Sequence, residues 1–448
     1  MMRSALTSAA EPDGAPRLPV LDILRGVAIL GILFMNISDM GGSLHAFFAG
    51  DPRHVGWSGP DQVAWWLRQV FADGTARCLL EMLFGVGMVI LTERAAASMA
   101  PGAVLRGYAW RNIVLFLFGL VHVVVLLWPG DILHSYGLAA LVAMWFRNLR
   151  PRWLLSIGLF LATLQLVGVT AATFSANQQR QAVASAQAKR AAGGPLADAE
   201  RKALADGRKR AAERVERRAR SDALIAAEDR ARIGTASSWA AALWGVALYF
   251  QRSGFELAVV WEAASTMLIG AALYKLGVIQ GGRGTRFYLR LTLACYAIGL
   301  GLRTWAAYAT TSFDRLPSYS DAFGEYARLL TTLGHVGLIN LLATGAAAWL
   351  VRPFAAAGRT ALTLYILQTL VCLWVLYPPW GLRLYGEQGW AALMLTALLV
   401  NAALLLLAVW WVRRYPIAPV EWAWRSLVAW RALPFRSAGS GEERRSPA

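Results

Sequence analysis

The sequence predicts an all-α, polytopic membrane helix bundle of about ten transmembrane helices with both termini in the cytoplasm, and three observations predict it. Of the 448 residues, 57% are hydrophobic and 20 are Trp, too apolar a composition for two or three soluble domains. Apolar runs long enough to cross a hydrocarbon core recur along the chain. Arginines and lysines concentrate in alternate loops between those runs, the asymmetry that sets membrane topology.

Taken in order, the spans fall at roughly 18–38, 76–92, 108–128, 131–147, 153–174, 255–276, 287–310, 327–350, 359–377 and 389–412. The first run carries Asp22 and Arg25 and lacks a small-x-small cleavage pattern, so it reads as a retained helix and not a signal peptide. Arg94, Arg106 and Arg111 follow span two; Arg147, Arg150 and Arg152 follow span four. Lys275, Arg283, Arg286 and Arg290 follow span six, Arg352 and Arg359 span eight, and Arg413 and Arg414 span ten. The intervening loops hold little more than Arg53 with Asp51, Arg315 with Asp314 and Asp321, and Arg383 with Glu387. Both chain ends are therefore placed inside. The formal charge of +17 serves topology on this reading, and nucleic acid is not an expected partner. Cys78, Cys295 and Cys372 are far apart in apolar runs, which argues against a disulfide framework or a zinc site.

Domain organisation is read as 1–174, an N-terminal bundle of spans one to five; 175–236, an extracytoplasmic charged helical insert; 237–430, a C-terminal membrane domain; and 431–448, a disordered cytoplasmic tail. The insert is rich in Ala, Gln, Arg and Glu, with Gly193-Gly194-Pro195 breaking it and a second helix starting near Asp198. Its basic excess is tolerated outside because long loops translocate regardless of charge. Trp239 to Arg252 is apolar but short, an interfacial helix leading into span six.

Ionisable groups within a bilayer are costly and mark functional candidates. Depth counting puts His122, His134, His335, Asp131 and Arg303 toward the outer side, with His45 and His54 in the first outer loop and Glu81 and Glu262 on inward-running spans. The cluster suggests a polar chamber open to the outside, with His122 as general base or proton relay and Asp131 orienting an imidazole or binding a substrate hydroxyl. The competing reading is that each group only bridges helices by hydrogen bonding. At the inner end of span one, Asp22 and Arg25 share a helix face, either as an internal ion pair or with Arg25 free to engage a phosphate-like anion. No phosphate loop, dinucleotide fingerprint or zinc-protease motif is present, and Gly281-Gly282-Arg283-Gly284 reads as a cytoplasmic turn.

Several strings together resemble one family. Arg17-Leu18, Leu21-Asp22 to Gly26, and Ile29-Leu30-Gly31-Ile32-Leu33 to Asn36-Ile37 resemble the start of the YeiB-like bacterial membrane proteins. So do Leu83-Phe84-Gly85-Val86-Gly87-Met88, and Gly119-Leu120-Val121-His122 followed by Gly130-Asp131-Ile132-Leu133. Gly358-Arg359-Thr360-Ala361-Leu362-Thr363 with Tyr365 and Gln368, then Pro419-Val420-Glu421-Trp422-Ala423-Trp424-Arg425, resemble its carboxyl-terminal domain of unknown function. The chain departs from the family pattern at Ala418, where glycine usually precedes the proline, and at Gly74-Thr75-Ala76-Arg77, where Gly-Lys-Phe is common.

The opening around Asp22, Arg25 and Gly26 is also similar to membrane acyltransferases of the heparan-glucosaminide acetyltransferase type. Those enzymes take an acyl group from cytosolic coenzyme A and deliver it to a sugar hydroxyl or amine outside. The resemblance implies a bacterial inner-membrane acyltransferase with no bound cofactor, acyl-coenzyme A as co-substrate, and a cell-surface glycan or lipid as acceptor. Its catalytic residues would be His122 and Asp131, with Asp22, Arg25, His134, Arg303 and His335 binding donor or substrate; assigning the histidine to His122 rests on depth and not on a motif. Two rivals are a small-solute transporter using the same His, Asp and Arg groups, and a non-catalytic membrane partner docking through the insert. A homodimer is left open.

Overall fold

The computed structural model describes residues 18–313 and 318–435, so Arg17, Asp314, Arg315 and the tail beyond 435 lie outside the described residues. Among the described residues every regular element is helical. In chain order these are α1 (Pro19–Gly41), α2 (Leu44–Ala49), α3 (Gly59–Leu67), α4 (Thr75–Ala96), α5 (Pro101–Val124), α6 (Leu133–Ala143), α7 (Pro151–Ala191), α8 (Asp198–Ile233) and α9 (Ala236–Arg252). Then follow α10 (Phe255–Lys275), α11 (Thr285–Thr310), α12 (Tyr319–Ala322), α13 (Gly324–Thr344), α14 (Ala348–Val351), α15 (Phe354–Arg359), α16 (Ala361–Thr369), α17 (Trp390–Val412) and α18 (Pro419–Val428). Proline occupies the first turn of α1, α5, α7 and α18, where its fixed φ suits the helix and its missing N–H had no intrahelical partner.

Each of the ten apolar runs is helical, but among the described residues six helices are long and apolar enough to cross a membrane, or seven if the pair Gly324–Thr344 and Ala348–Arg359, bent by 117°, forms one span. Leu133–Phe146 and Ala361–Leu376 are apolar but shorter. Helix α11 has the length, while Arg286, Arg290 and Arg303 make it too polar for that group. The stretch between the first two runs is not a simple loop. It folds into α2 and α3, and a π-helical turn, Arg68–Ala72, carries α3 toward α4.

Helices α1, α4 and α10 form the centre. Leu24, Leu33 and Ile37 of α1, Met82 of α4 and Ala263 and Ala271 of α10 have no exposed surface. Lipid chains are as apolar as leucine, so close backbone approach and polar contacts hold such a bundle more than burial does. One tight crossing joins α1 to α15. A Cβ at Gly26 would overlap the Phe354 carbonyl, and one at Gly358 would overlap the Asp22 carbonyl, so both crossing points demand glycine. Helix α18 packs against the first halves of α5 and α16. Its Glu421 carboxylate accepts from the Leu362 and Thr363 N–H groups at 2.7 and 3.1 Å and from the Thr363 hydroxyl at 2.5 Å, capping α16.

Helix α7 runs unbroken from the bundle into the insert, the chain turns over residues 192–197, and α8 returns beside it. The base of α8 is buried in contact with α1 and α2. The fully buried Arg232 donates to the carbonyls of Asp39 (3.1 Å), Gly42 (2.7 Å) and Met40 (2.5 Å), and its guanidinium lies over the rings of Trp239 and Tyr385. One turn earlier, Glu228 accepts from the Ser43 hydroxyl (2.5 Å) and the Leu44 and His45 N–H groups (3.0 and 3.1 Å), capping α2. At the far end, Lys189 pairs with Glu200 at 2.8 Å across the turn, and this hydrogen bond holds the Glu200 carboxyl below its usual range.

Candidate functional site

Two of the five histidines meet. His122, near the end of α5, and His134, in the first turn of α6, face the same carboxylate. Asp131 places one oxygen 2.7 Å from His122 Nδ1 and the other 2.9 Å from both the backbone N–H and Nδ1 of His134. His134 Nε2 lies 3.0 Å from Glu256 of α10, which also accepts from the Ser135 hydroxyl at 2.6 Å. With a carboxylate on each ring nitrogen, His134 donates from both and carries the positive charge that balances Asp131. His122 then donates from Nδ1 to Asp131 and presents a lone pair at Nε2, which faces the Thr369 hydroxyl at 2.8 Å. Gly119 allows the hairpin to close: a Cβ there would overlap the His134 backbone nitrogen.

This group is not an open outer chamber. His122 has no exposed surface, and Asp131 and His134 are each 4% exposed. Its depth is also greater than counting along α5 suggests. Gln368, next to Thr369, donates to the Ile29 carbonyl at 3.1 Å and to Asn401 at 3.3 Å, and Asn401 donates to the Leu30 carbonyl at 2.8 Å. Those partners lie at the middles of α1 and α17, so the Thr369–His122 contact sits at mid-depth.

A second buried network lies on the other side of α6. Arg328 of α13 pairs with Glu81 (2.8 Å), Glu262 (2.9 Å) and Glu325 (2.8 Å) and donates to the Thr266 hydroxyl at 3.0 Å. Arg77 pairs with Glu262 at 2.6 Å, and the Tyr136 hydroxyl donates to the Arg77 carbonyl at 3.1 Å. Three carboxylates thus face two guanidiniums. Among the described residues no group of His, Cys, Asp and Glu is arranged to hold a metal ion.

The remaining sequence candidates are dispersed. Arg303 donates to the carbonyls of Val70 (2.6 Å), Asp73 (2.6 Å) and Gln69, bracing the π-helical turn after α3. His335 accepts from the Tyr296 hydroxyl at 2.7 Å and donates to the Phe71 carbonyl at 3.0 Å. His45 stands edge-on to Tyr249. His54 lies 3.5 Å from Asp229 of α8, and both line a cavity of about 270 Å³ with Gly41, Tyr385 and Gln388. Asp22 and Arg25 form their ion pair at 3.0 Å, with the Arg25 side chain still 38% exposed. Arg111, stacked on Trp424 at 3.9 Å, is close enough to Arg25 and Arg425 to feel both charges.

Sequence reading missed Thr369, Glu256, Glu325 and Arg328. Glu325 and Arg328 do show the three-residue spacing of a helical pair, the one local signal available. Thr369 reaches His122 across 247 positions, and nothing near it in sequence marks the contact.

The chain is 28% identical over 429 residues to the uncharacterized protein YxaH of Bacillus subtilis (strain 168), covering 93% of this chain and 96% of that protein. It is 27% identical over 434 residues to the uncharacterized protein YeiB of Escherichia coli (strain K12), covering 92% and 97%. An uncharacterized 39.9 kDa protein from the amylase 3' region of Bacillus acidopullulyticus matches 158 residues at 28% identity, 34% of this chain and 40% of that one. No solved structure matches. Residues 273–431 match the family described as protein of unknown function (DUF418), and they include the Thr363–Glu421 capping pair and Thr369. A DUF418 match at the carboxyl end, together with similarity to YxaH and YeiB over 92–93% of this chain, supports a YeiB-like family.

Proposed function

We propose that this protein is a membrane acyltransferase that takes an acyl group from cytosolic acyl-coenzyme A and passes it to an extracytoplasmic acceptor such as a cell-surface sugar or lipid. On this reading it spans the cytoplasmic membrane of a bacterium ten times with both ends inside, α6, α11 and α16 completing the count. The observation that carries it is the His122–Asp131 dyad: a fully buried imidazole with one nitrogen fixed on a carboxylate and the other left basic at mid-depth. Asp131 fixes the tautomer and stabilises the imidazolium formed when His122 takes a proton. Arg25, exposed at the inner end of α1 near Arg111, supplies charge for the donor's phosphates. From Arg25 to the level of Ile29 is about 6 Å of helix rise, a span that the extended arm of coenzyme A exceeds.

The test is binding and turnover of acetyl-coenzyme A by purified protein in detergent. Arg25→Ala is expected to lose saturable binding, and His122→Ala to bind the donor without releasing coenzyme A. Folded wild-type protein that neither binds nor consumes acetyl-coenzyme A or longer acyl donors refutes the reading. It would favour a second one, proton-coupled transport of a small solute, for which the Arg77–Glu81–Glu262–Glu325–Arg328 cluster speaks because acyl transfer does not use it. Uptake driven by a pH gradient in proteoliposomes would then be measured.

A further inference from the structure

Buried threonines in a helix ordinarily return their hydroxyl to the carbonyl one turn back, which satisfies the group locally. In this chain Thr92, Thr331, Thr332 and Thr360 do so, bonding Met88, Ala327, Arg328 and Ala356 at 2.7 to 3.1 Å. Thr369, with no exposed surface, instead turns its hydroxyl to His122 Nε2 at 2.8 Å. Because Nδ1 donates to Asp131, Nε2 is the acceptor and the Thr369 proton points at it. Hydroxyl, imidazole and carboxylate thus stand in one line, Thr369–His122–Asp131, with His134 and Glu256 extending it and fixing Asp131 as an anion. This is the arrangement by which a neutral hydroxyl becomes a nucleophile, recognised by geometry and roles and not by sequence order. The residue after Thr369 opens a π-helical turn, Leu370–Leu376, a widening that concentrates at functional sites.

We propose that Thr369 is the nucleophile that carries the acyl group as a threonyl ester, with an acyl thioester as the substrate class; this rests on the acyltransferase reading above. In the first step Thr369 Oγ bonds to the thioester carbonyl carbon while its proton passes to His122 Nε2. The carbon–sulfur bond breaks, and the departing thiolate takes that proton and leaves as coenzyme A thiol. In the second step an acceptor hydroxyl or amine attacks the ester carbon and gives its proton to His122. The ester C–Oγ bond breaks, and Oγ recovers the proton from the imidazole. No oxidant, reductant or metal enters either step. The closed site must part between α1 and α16 to admit the thioester, and the shared contacts of Gln368 with Ile29 and Asn401 are the ones that such an opening breaks.

The experiment is acceptor-free incubation of the purified full-length protein in detergent with isotopically labelled acetyl-coenzyme A, followed by intact-mass measurement and peptide mapping. Wild type and Thr369→Ser are expected to carry the label at position 369, and Thr369→Val to bind donor but remain unlabelled, with turnover reduced at least a hundredfold. Label mapping to His122, or Thr369→Val turning over donor at the wild-type rate, overturns the assignment and leaves the acyltransferase reading standing. Wild type that fails to bind any acyl donor removes both. If Thr369→Val does not fold, the mapped position in wild type and in Thr369→Ser decides.

Discussion

Replacing Arg328 by methionine keeps the bulk of the side chain and removes a guanidinium shared by three carboxylates. In the native protein Glu81, Glu262 and Glu325 are balanced by Arg77 and Arg328, an excess of one negative charge. Arg328→Met raises the excess to two and leaves both oxygens of Glu325 without their guanidinium donors, at 2.8 and 3.0 Å. Removing one partner from a buried ion pair costs about 3–5 kcal/mol, because the remaining charge is stranded away from water. Adding Glu325→Gln returns the excess to one, so the double variant should recover a large part of that loss, with a coupling of about 1–3 kcal/mol in a double-mutant cycle. Unfolding titrations in mixed detergent, followed by tryptophan fluorescence, measure all four corners. A single variant within about 1 kcal/mol of wild type, or a second substitution that deepens the loss, would refute the charge-balance argument.

Gly26→Ala forces α1 and α15 apart at a backbone–backbone crossing, and the expected result is loss of the monodisperse peak in size-exclusion chromatography, whereas Gly87→Ala, with open space around it, should behave as wild type. Arg232→Met frees the carbonyls of Asp39, Met40 and Gly42; limited trypsinolysis should then cut the insert several times faster while the membrane helices stay protected. Acid should loosen the tip of the insert. The Glu200 carboxyl titrates below its ordinary value of 4.5 because Lys189 holds the charged form, so the tie is complete above that pH and is lost as pH falls through the lower folded value. Amide protection factors across residues 193–201, corrected for the intrinsic pH dependence of exchange, should fall in that window and stay flat between pH 6 and 8.

Helical segments were legible because apolar length is a local property, although α5 starts at Pro101, ahead of the span expected from 108. The break after Ala191 and the restart at Asp198 were legible for the same reason, from the two glycines and the proline between them. The site was legible in half. His122, Asp131 and His134 stand within one hairpin, so local spacing brings them together. Thr369, Glu256 and Arg328 reach their partners across distant helices, and the order of helices around a bundle leaves no trace in one sequence. Depth failed for His122 because rise along α5 says nothing of how far that helix is displaced relative to α1. The insert misled in another way: its composition reads as solvated, and only the fold shows that Glu228 and Arg232, two charges among many, are the ones turned inward.

The tie between Arg232 and the end of α1 also sets a timetable for biosynthesis. Donor and acceptors are 190 to 193 positions apart. At about 5–20 residues per second, the ribosome delivers Arg232 roughly 10–40 s after the carbonyls that it will cap. For that interval the emerging helix holds its last turn without the guanidinium that completes it. Helix α1 is thus made well before the partner that finishes it.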